Sequence, residues 1–254
     1  MKRVLVTGAN GQLGLALQEA AKESKLEIVF MDKNSLDITN AKAIKEVFAS
    51  QSFAICINAA AYTHVDGAEG NKALAYAINA TAAETLAKAC KKHVCWLLHI
   101  STDYVFDGTI DRPYAPEDTP NPLNVYGASK LAGEQAIQAV GGTYSIVRTS
   151  WLYSQFGKNF YTKLQAQLDA GKTLQVTAHQ QGCPTRAEDL AAHLLTSISE
   201  AKLEKGISHY CGSGVMTWLD LARRLFPEQE VLEWGGAISP TIRPKKVVLK
   251  NNNS

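Results

Sequence analysis

The sequence predicts an α/β protein: a doubly wound parallel sheet followed by a smaller C-terminal lobe. Three observations carry this reading. Short, nearly continuous apolar runs alternate with helix-patterned segments through residues 1–150, as expected of strands covered on both faces and joined by helical crossovers. A cluster of glycines sits at the first strand-to-helix turn. Beyond Trp151 the alternation becomes irregular, which marks a second lobe over 151–254.

The strand runs are "RVLVT" (3–7), "EIVFM" (27–31), "AICIN" (54–58), "CWLLHIS" (95–101) and "YSIVRTS" (144–150). Between them, apolar residues recur at helical spacing over 13–21, 41–48, 73–90 and 126–139, so each strand is followed by the helix that a right-handed crossover needs. Residues 103–123, "DYVFDGTIDRPYAPEDTPNPL", hold four of the eight prolines and little periodicity. An irregular stretch of that length inside a domain reads as a functional loop. In the second lobe the pattern gives helices at 160–169, 187–200 and 217–226 and strands at 173–177 and 207–211. The strand near 173–177 is expected to return to the main sheet.

Composition narrows the class. With 46% hydrophobic and 20% charged residues in 254, the chain matches an ordinary globular protein and neither a disordered nor a fibrous one. A formal charge of +2, with basic residues scattered, selects no nucleic-acid partner, and the basic run "RPKKVVLKNNNS" reads as a solvated end. Cys56, Cys90, Cys95, Cys183 and Cys211 include no C-x-x-C pair. They are expected as buried free thiols in a reducing compartment, with no disulfide framework and no zinc site. The N-terminus meets its glycine cluster too soon for a signal peptide, and no apolar run reaches membrane-spanning length. A cytoplasmic protein without a membrane partner is therefore expected, and the glycosylation-like triplet at Asn79 is read as chance.

Chemistry concentrates at the predicted strand ends. In "VTGANGQLG", Gly8, Gly11 and Gly14 follow the first strand and open the first helix, with Asn10, Gln12 and Leu13 between them. A tight turn there needs residues without a Cβ, and a diphosphate needs close approach to backbone N–H groups at a helix N-terminus. The G-x-x-G-x-x-G spacing is one residue wider than the usual dinucleotide fingerprint, so residues 1–150 read as a Rossmann-type NAD(P)-binding domain. Asp32 ends the second strand, where a carboxylate would bind the adenosine ribose and oppose a 2′-phosphate; Lys33 beside it would attract that phosphate. NADPH and NADH both remain open on these residues. Asp37 reads as a turn or cap residue before the helix at 41, or with Ile38 as a contact to adenine.

At the end of the third strand, "NAAAYTHVD" supplies Asn58 and the small residues Ala59, Ala60 and Ala61, which let a cofactor ribose approach the backbone. At the end of the fourth, "ISTDYVFDG" brings Thr102 and Asp103 to the same edge. Tyr126 and Lys130 in "NVYGASKLAGE" are four apart and share a helix face. A phenol with an ordinary value near 10 is a poor acid–base group at neutral pH unless a neighbouring ammonium stabilises its anion. Alone, Y-x-x-x-K is a common helical accident.

Together, the glycine turn, N-A-A, S-T-D and Y-x-x-x-K resemble the extended short-chain dehydrogenase/reductase family. Within it, "NAAAYTHVDGAE", "HISTDYVFDG", "PLNVYGASKLAGE" and "RTSWLY" resemble the dTDP-4-dehydrorhamnose reductases, over residues 1 to about 226. The resemblance implies reduction of the 4-keto group of a nucleotide sugar, dTDP-4-dehydro-L-rhamnose, with NADPH or NADH. It makes Tyr126 the proton donor, Lys130 the group that holds the nicotinamide ribose and lowers the tyrosine pKa, and Thr102 a hydrogen-bond partner of the reacting oxygen. It places Val65, Asp66, Asp103, Tyr104 and Trp151 at the sugar, and Asn159, Phe160 and Arg243 further along the substrate. Asp66 reads equally as a loop-end cap.

The tail departs from the family pattern, since Val247 and Lys250 stand where a serine and an aspartate are expected. A Mg²⁺-assisted dimer thereby loses the tail carboxylates that would support it, which leaves a monomer or a homodimer. Two rivals stay open: a non-catalytic regulatory relative like the beta subunit of methionine adenosyltransferase, and a reductase or epimerase of another nucleotide sugar. A dehydratase would need an aspartate–glutamate pair after the threonine, whereas Thr102 is followed by Asp103 and Tyr104.

Overall fold

The five apolar runs form the five strands expected of them in the computed structural model, which describes residues 2–236 and 239–251. Met1 and the last three residues of the asparagine-rich tail lie outside that range. β1 (Arg3–Thr7), β2 (Glu27–Met31), β3 (Ile55–Asn58), β4 (Trp96–Thr102) and β5 (Tyr144–Thr149) are all parallel. Their crossovers are α1 (Gln12–Ala21) and α2 (Ala41–Ser50), then α3 (Val65–Gly70), α4 (Lys72–Tyr76) and α5 (Ala82–Lys92), then α6 (Val125–Val140).

The predicted helix at 73–90 is interrupted by a single π-helical turn, Ala77–Thr81. Asn79 in that turn is buried and bonds both the Tyr62 backbone and the Ser129 hydroxyl of α6. The triplet read as chance is thus a brace beneath the site, and its amide is committed inside the fold. A short 3-10 turn, Asp103–Val105, starts the proline-rich loop.

Beyond β5 come β6 (Leu152–Tyr153), α7 (Phe160–Asp169), β7 (Leu174–Val176), β8 (Gln181–Gly182), β9 (Thr185–Arg186) and α8 (Ala187–Ser199). They are followed by β10 (Gly206–His209), β11 (Met216–Thr217), α9 (Trp218–Leu225) and β12 (Val231–Glu233). The strand that returns to the main sheet is β10, paired in parallel with β5, and not the one predicted at 173–177. The physical reason is the crossover: α8 precedes β10 and packs on α1, whereas the three-residue β7 pairs with β12 within the smaller lobe.

The sheet order is β10-β5-β4-β3-β1-β2, so successive strands add on opposite sides of β1. One face is sealed by α2, α5 and α6 through Phe48, Leu86 and Ile137, the other by α1 and α8 through Leu17, Leu190 and Leu194. Each fully buried side chain of this size contributes about 1.5–3 kcal/mol relative to exposure. Two smaller cores lie beside these: one in the C-terminal part around Leu174, Leu219 and Phe226, the other where Phe106 and Tyr114 of the proline-rich loop meet Val247 and Leu249 of the tail. All five cysteines are free and buried.

Candidate active site

A cleft of about 810 Å³ opens over the C-terminal ends of β1, β3 and β4, between the strands where the sheet order reverses. Open α/β sheets bind ligands at such a switch point. Gly8 has a φ of 71°, and a Cβ there would lie 2.6 Å from the Ala60 nitrogen. Only glycine lets the loop after β1 close onto the loop after β3. Gly11 precedes α1 without a side-chain cap, so the first N–H groups of the helix and its positive end are left to an anion. Asn10, Gln12 and Leu13 line this end of the cleft, and Ala59, Ala60 and Ala61 its middle. Gly14 is buried within α1 and Asn58 beneath the cleft, so both support it from outside its lining.

The two carboxylates expected at the adenosine end are committed elsewhere. Asp32 Oδ1 accepts the Ser35 hydroxyl at 2.7 Å and the Ser35 and Asn34 N–H groups, while Oδ2 accepts from Asn10 at 2.7 Å. The Ser35 bonds lead in holding its carboxyl below the ordinary value. Asp37 likewise accepts the Thr39 hydroxyl and N–H at 2.7 and 2.9 Å, and the helix cap before Ala41 is Asn40. Lys33 is exposed, lines the cleft with Asp37 and Ile38, and makes no hydrogen bond or ion pair among the described residues.

Asn124 fixes where α6 begins, its side chain accepting the Gly127 N–H at 2.9 Å and donating to the Ile242 carbonyl at 3.0 Å. That start puts Tyr126 and Lys130 in the cleft wall beside Thr102. Burial pushes the Tyr126 phenol above its ordinary value; the neighbouring Thr102 hydroxyl pulls it back, and Asp103 and Tyr104 push it further up. Lys130 is not among these influences, contrary to the expectation that it lowers the tyrosine. Its Nζ donates to the Ile100 carbonyl at 2.6 Å and lies 3.4 Å from His99 Nε2. Helical spacing sets the two on one face, but the long lysine chain follows the end of β4. Burial pushes Lys130 down to about 8, with Glu134 opposing.

Thr102 and Asp103 are buried. The Thr102 hydroxyl accepts the Tyr104 N–H at 3.2 Å and donates to Asp103 at 3.1 Å, and Asp103 also accepts from Ser150 at 2.9 Å. Burial pushes Asp103 up to about 6 against those bonds. Tyr104 meets the Tyr126 ring edge-on at 5.5 Å, and its hydroxyl accepts from Arg243 at 3.2 Å. Arg243 also donates to Asp66 at 2.7 Å, and Ser239 to the same oxygen at 2.5 Å. Burial raises Asp66, but the bonds from Ser239 and Arg243 outweigh it and hold the carboxyl low. Asp66 is therefore an anchor for Arg243 and does not itself line the cleft. Val65 and Arg243 do.

Trp151 has a φ of 47°, a strained backbone for a bulky residue, and its ring stacks on Trp218 at 3.6 Å and 2°. Phe160 packs against the same Trp218 at 4.5 Å. Asn159 sits in the lining, yet its side chain is consumed as the α7 cap, accepting from Tyr161 and donating to Ser154 and Phe156 carbonyls. Sequence reasoning missed Trp218, Thr149 and Leu74, which also line the cleft. Thr149 is the next-to-last residue of the strand predicted at 144–150 and was readable as a strand-end hydroxyl; Trp218 and Leu74 carried no local signal.

The buried polar atoms that find no hydrogen-bond partner among the described residues include Gln12 Nε2, Thr149 Oγ1 and Arg243 Nε. All three residues line this one cleft, and buried groups left open are the signature of a site that a ligand completes. The same residues fit a dinucleotide at the glycine turn and an anionic group at Arg243. No group of three or more His, Cys, Asp and Glu placed to hold a metal ion occurs among the described residues, and no helix there is long and apolar enough to cross a membrane.

Comparison with known proteins agrees with this geometry. The family model for the RmlD substrate binding domain matches residues 1–250. A dTDP-4-dehydrorhamnose reductase of Sinorhizobium fredii is 38% identical over 230 residues, 88% of this chain and 77% of the relative. One of Mycobacterium tuberculosis is 39% identical over 232 residues, 89% and 75% respectively. The structure of the Bacillus anthracis dTDP-4-dehydrorhamnose reductase in complex with NADP superposes with a TM-score of 0.91 at 38% identity, covering 100% of this chain and 92% of that one. The chain belongs to the dTDP-4-dehydrorhamnose reductase family.

Proposed function

We propose that the chain reduces the 4-keto group of dTDP-4-dehydro-L-rhamnose to give dTDP-L-rhamnose, a step towards cell-surface polysaccharide, and that it prefers NADPH. The observation that carries this reading is the meeting, in one cleft, of a buried phenol, the Thr102 hydroxyl and an uncapped glycine-lined helix N-terminus. The bound nicotinamide cofactor supplies the hydride. The glycine turn and the start of α1 hold its diphosphate, Ala59 to Ala61 its ribose, and Lys130 the nicotinamide ribose. Lys33, with Asp32 and Asp37 tied into local turns, receives a 2′-phosphate, and the NADP-bound relative supports the same choice.

Burial keeps Tyr126 protonated, so it stands as a loaded acid at the developing alkoxide, with Thr102 as a second hydrogen-bonding group. The catalytic contribution is placement of these donors before reaction. Arg243, held by Asp66 and Tyr104, faces the diphosphate of the nucleotide sugar as a pre-aligned cation. Trp151 and Trp218 offer a flat apolar wall for the sugar. The presence of Thr102, Tyr126 and Lys130 together in the cleft wall favours catalysis over a purely regulatory role.

The test mixes the protein with freshly made dTDP-4-keto sugar and follows oxidation of NADPH and NADH. Turnover is expected, faster with NADPH, and Tyr126→Phe should lose about three orders of magnitude while still binding cofactor. Tight cofactor binding without turnover in the unmodified chain would overturn the catalytic reading. Near-normal rates in Tyr126→Phe would remove the tyrosine from proton transfer.

A further inference from the structure

Behind the cleft a buried line of side chains that none of the steps above uses, Thr7, Asn58 and His99, leads to Lys130. Thr7, at the end of β1, donates its hydroxyl proton to Asn58 Oδ1 at 2.8 Å. Asn58 Nδ2, at the end of β3, lies 3.0 Å from His99 Nδ1 in β4. His99 Nε2 lies 3.4 Å from Lys130 Nζ on α6. The four residues are 0%, 1%, 1% and 2% exposed, so water does not compete for their bonds.

The direction of this line is set at its far end. With the amide oxygen of Asn58 taken by the Thr7 hydroxyl, the amide NH₂ faces the imidazole, and an NH₂ group only donates. His99 Nδ1 is therefore an acceptor. Burial first, and the nearby Lys130 second, hold His99 well below its ordinary value, so the ring is neutral and its single proton sits on Nε2. That N–H points at Lys130. An ammonium has three donors and no acceptor, so it meets the imidazole donor to donor, while an amine accepts the bond. The bond from Nζ to the Ile100 carbonyl at 2.6 Å serves either form.

We propose that His99, locked as its Nε2–H tautomer by Asn58 and Thr7, is a positioning residue that faces Lys130 with a donor and so makes the lysine a readier proton source. The other charged and titratable groups around Lys130 do not supply this. Glu134, one turn along α6, favours the ammonium, but it is spent on Arg148 of β5 at 2.7 Å and accepts the Ser101 hydroxyl of β4 at 2.5 Å. Tyr126, on the same helix, is neutral. The functional meaning of the device rests on the reductase reading of the cleft, since it bears on how the Tyr126 and Lys130 pair regains a proton between turnovers. Its physical core does not rest on that reading.

The test is ¹⁵N imidazole NMR on the full chain labelled at histidine, with the His99 signals identified by their loss in His99→Gln. From about pH 6 to 8, Nε2 is expected protonated and Nδ1 unprotonated. An Nδ1–H tautomer or an imidazolium in that range would overturn the proposal whether or not the protein turns over substrate. A second arm uses Asn58→Asp, in which a carboxylate accepts from Nδ1–H and converts Nε2 to an acceptor for Lys130. The lysine limb of the kcat/KM pH profile should then move up by about one pH unit; an unmoved limb, with the tautomer shown to have switched, would refute the link from His99 to Lys130. Absence of turnover in the unmodified chain, with the expected tautomer present, would count against the reductase reading alone.

Discussion

Tyr126, Asp103 and Lys33 each draw their role from burial or from its absence. Asp103 is the plainest case, because burial lifts it to about 6 while its ordinary value is 3.8. The folded state then holds the proton more tightly than the unfolded state, so this group's contribution to stability is fully present below about pH 4 and is lost as the pH rises through about 6. Acidification across that window should stabilise the unmodified protein relative to Asp103→Asn by about 3 kcal/mol at most; parallel pH curves of Tm for the two proteins would contradict it. Lys33 has the opposite circumstance, an exposed charge at the cleft edge whose acidic neighbours are occupied. Lys33→Ala should lower kcat/KM for NADPH about tenfold and leave NADH nearly unchanged, which steady-state kinetics with both cofactors will read. The sequence named Asp32 and Lys33 as opponents but left the contest open, because the Asp32 bonds to Ser35 and Asn10 depend on how the turn folds. Asp66 and Asn159 were legible as polar groups near the site, and only the three-dimensional contacts reveal them as an anchor for Arg243 and a helix cap.

On the proposed reading, helix α6 is the element on which the chemistry is mounted. Its start was readable to within a residue from helical spacing, whereas the Asn124 cap that fixes it appears only in the fold. What the spacing did not convey is where the lysine tip goes, since that depends on the β4 carbonyl it reaches. α6 lies so close to the 3-10 turn that a Cβ on Gly127 would collide with the Tyr104 carbonyl oxygen. Gly127→Ala should therefore cost about 1–3 kcal/mol of stability and reduce turnover by pulling Tyr126 away from Thr102, as urea unfolding and kinetics together would register; unchanged stability would mean that the turn yields freely. The π-turn at Ala77–Thr81 was invisible to periodicity, because one extra residue shifts the helical phase without changing composition. The Trp151–Trp218 stack was equally hidden, being a contact between two elements far apart in the chain.

At the scale of the whole molecule, the parallel sheet was legible because strands buried on both faces leave continuous apolar runs, and the site was legible because its motifs fall at strand ends. The division at residue 150 was less so: α8 and β10 rejoin the sheet domain, and only the surrounding pieces build the smaller lobe. The tail, whose Val247 and Lys250 depart from the family pattern, is seated in the fold. Tyr114 exchanges backbone bonds with Val248 and Lys250 at 2.7 and 2.8 Å, Val247 donates to Gln181 at 3.1 Å, and Val247 and Leu249 are buried. This strap delivers Arg243 to the cleft, where it meets Asp66 and Tyr104. On the proposed reading, the cofactor end and the sugar end of one cleft meet at Tyr126, so that hydride reaches the sugar C4 while the phenol supplies the proton. NADPH carrying deuterium on one or the other face of its nicotinamide C4 tests this directly when the sugar product is examined by mass spectrometry and NMR. One of the two labelled cofactors should place a single deuterium at C4 of the sugar; a product without label from either, or with label at any other carbon, would contradict direct hydride transfer to C4.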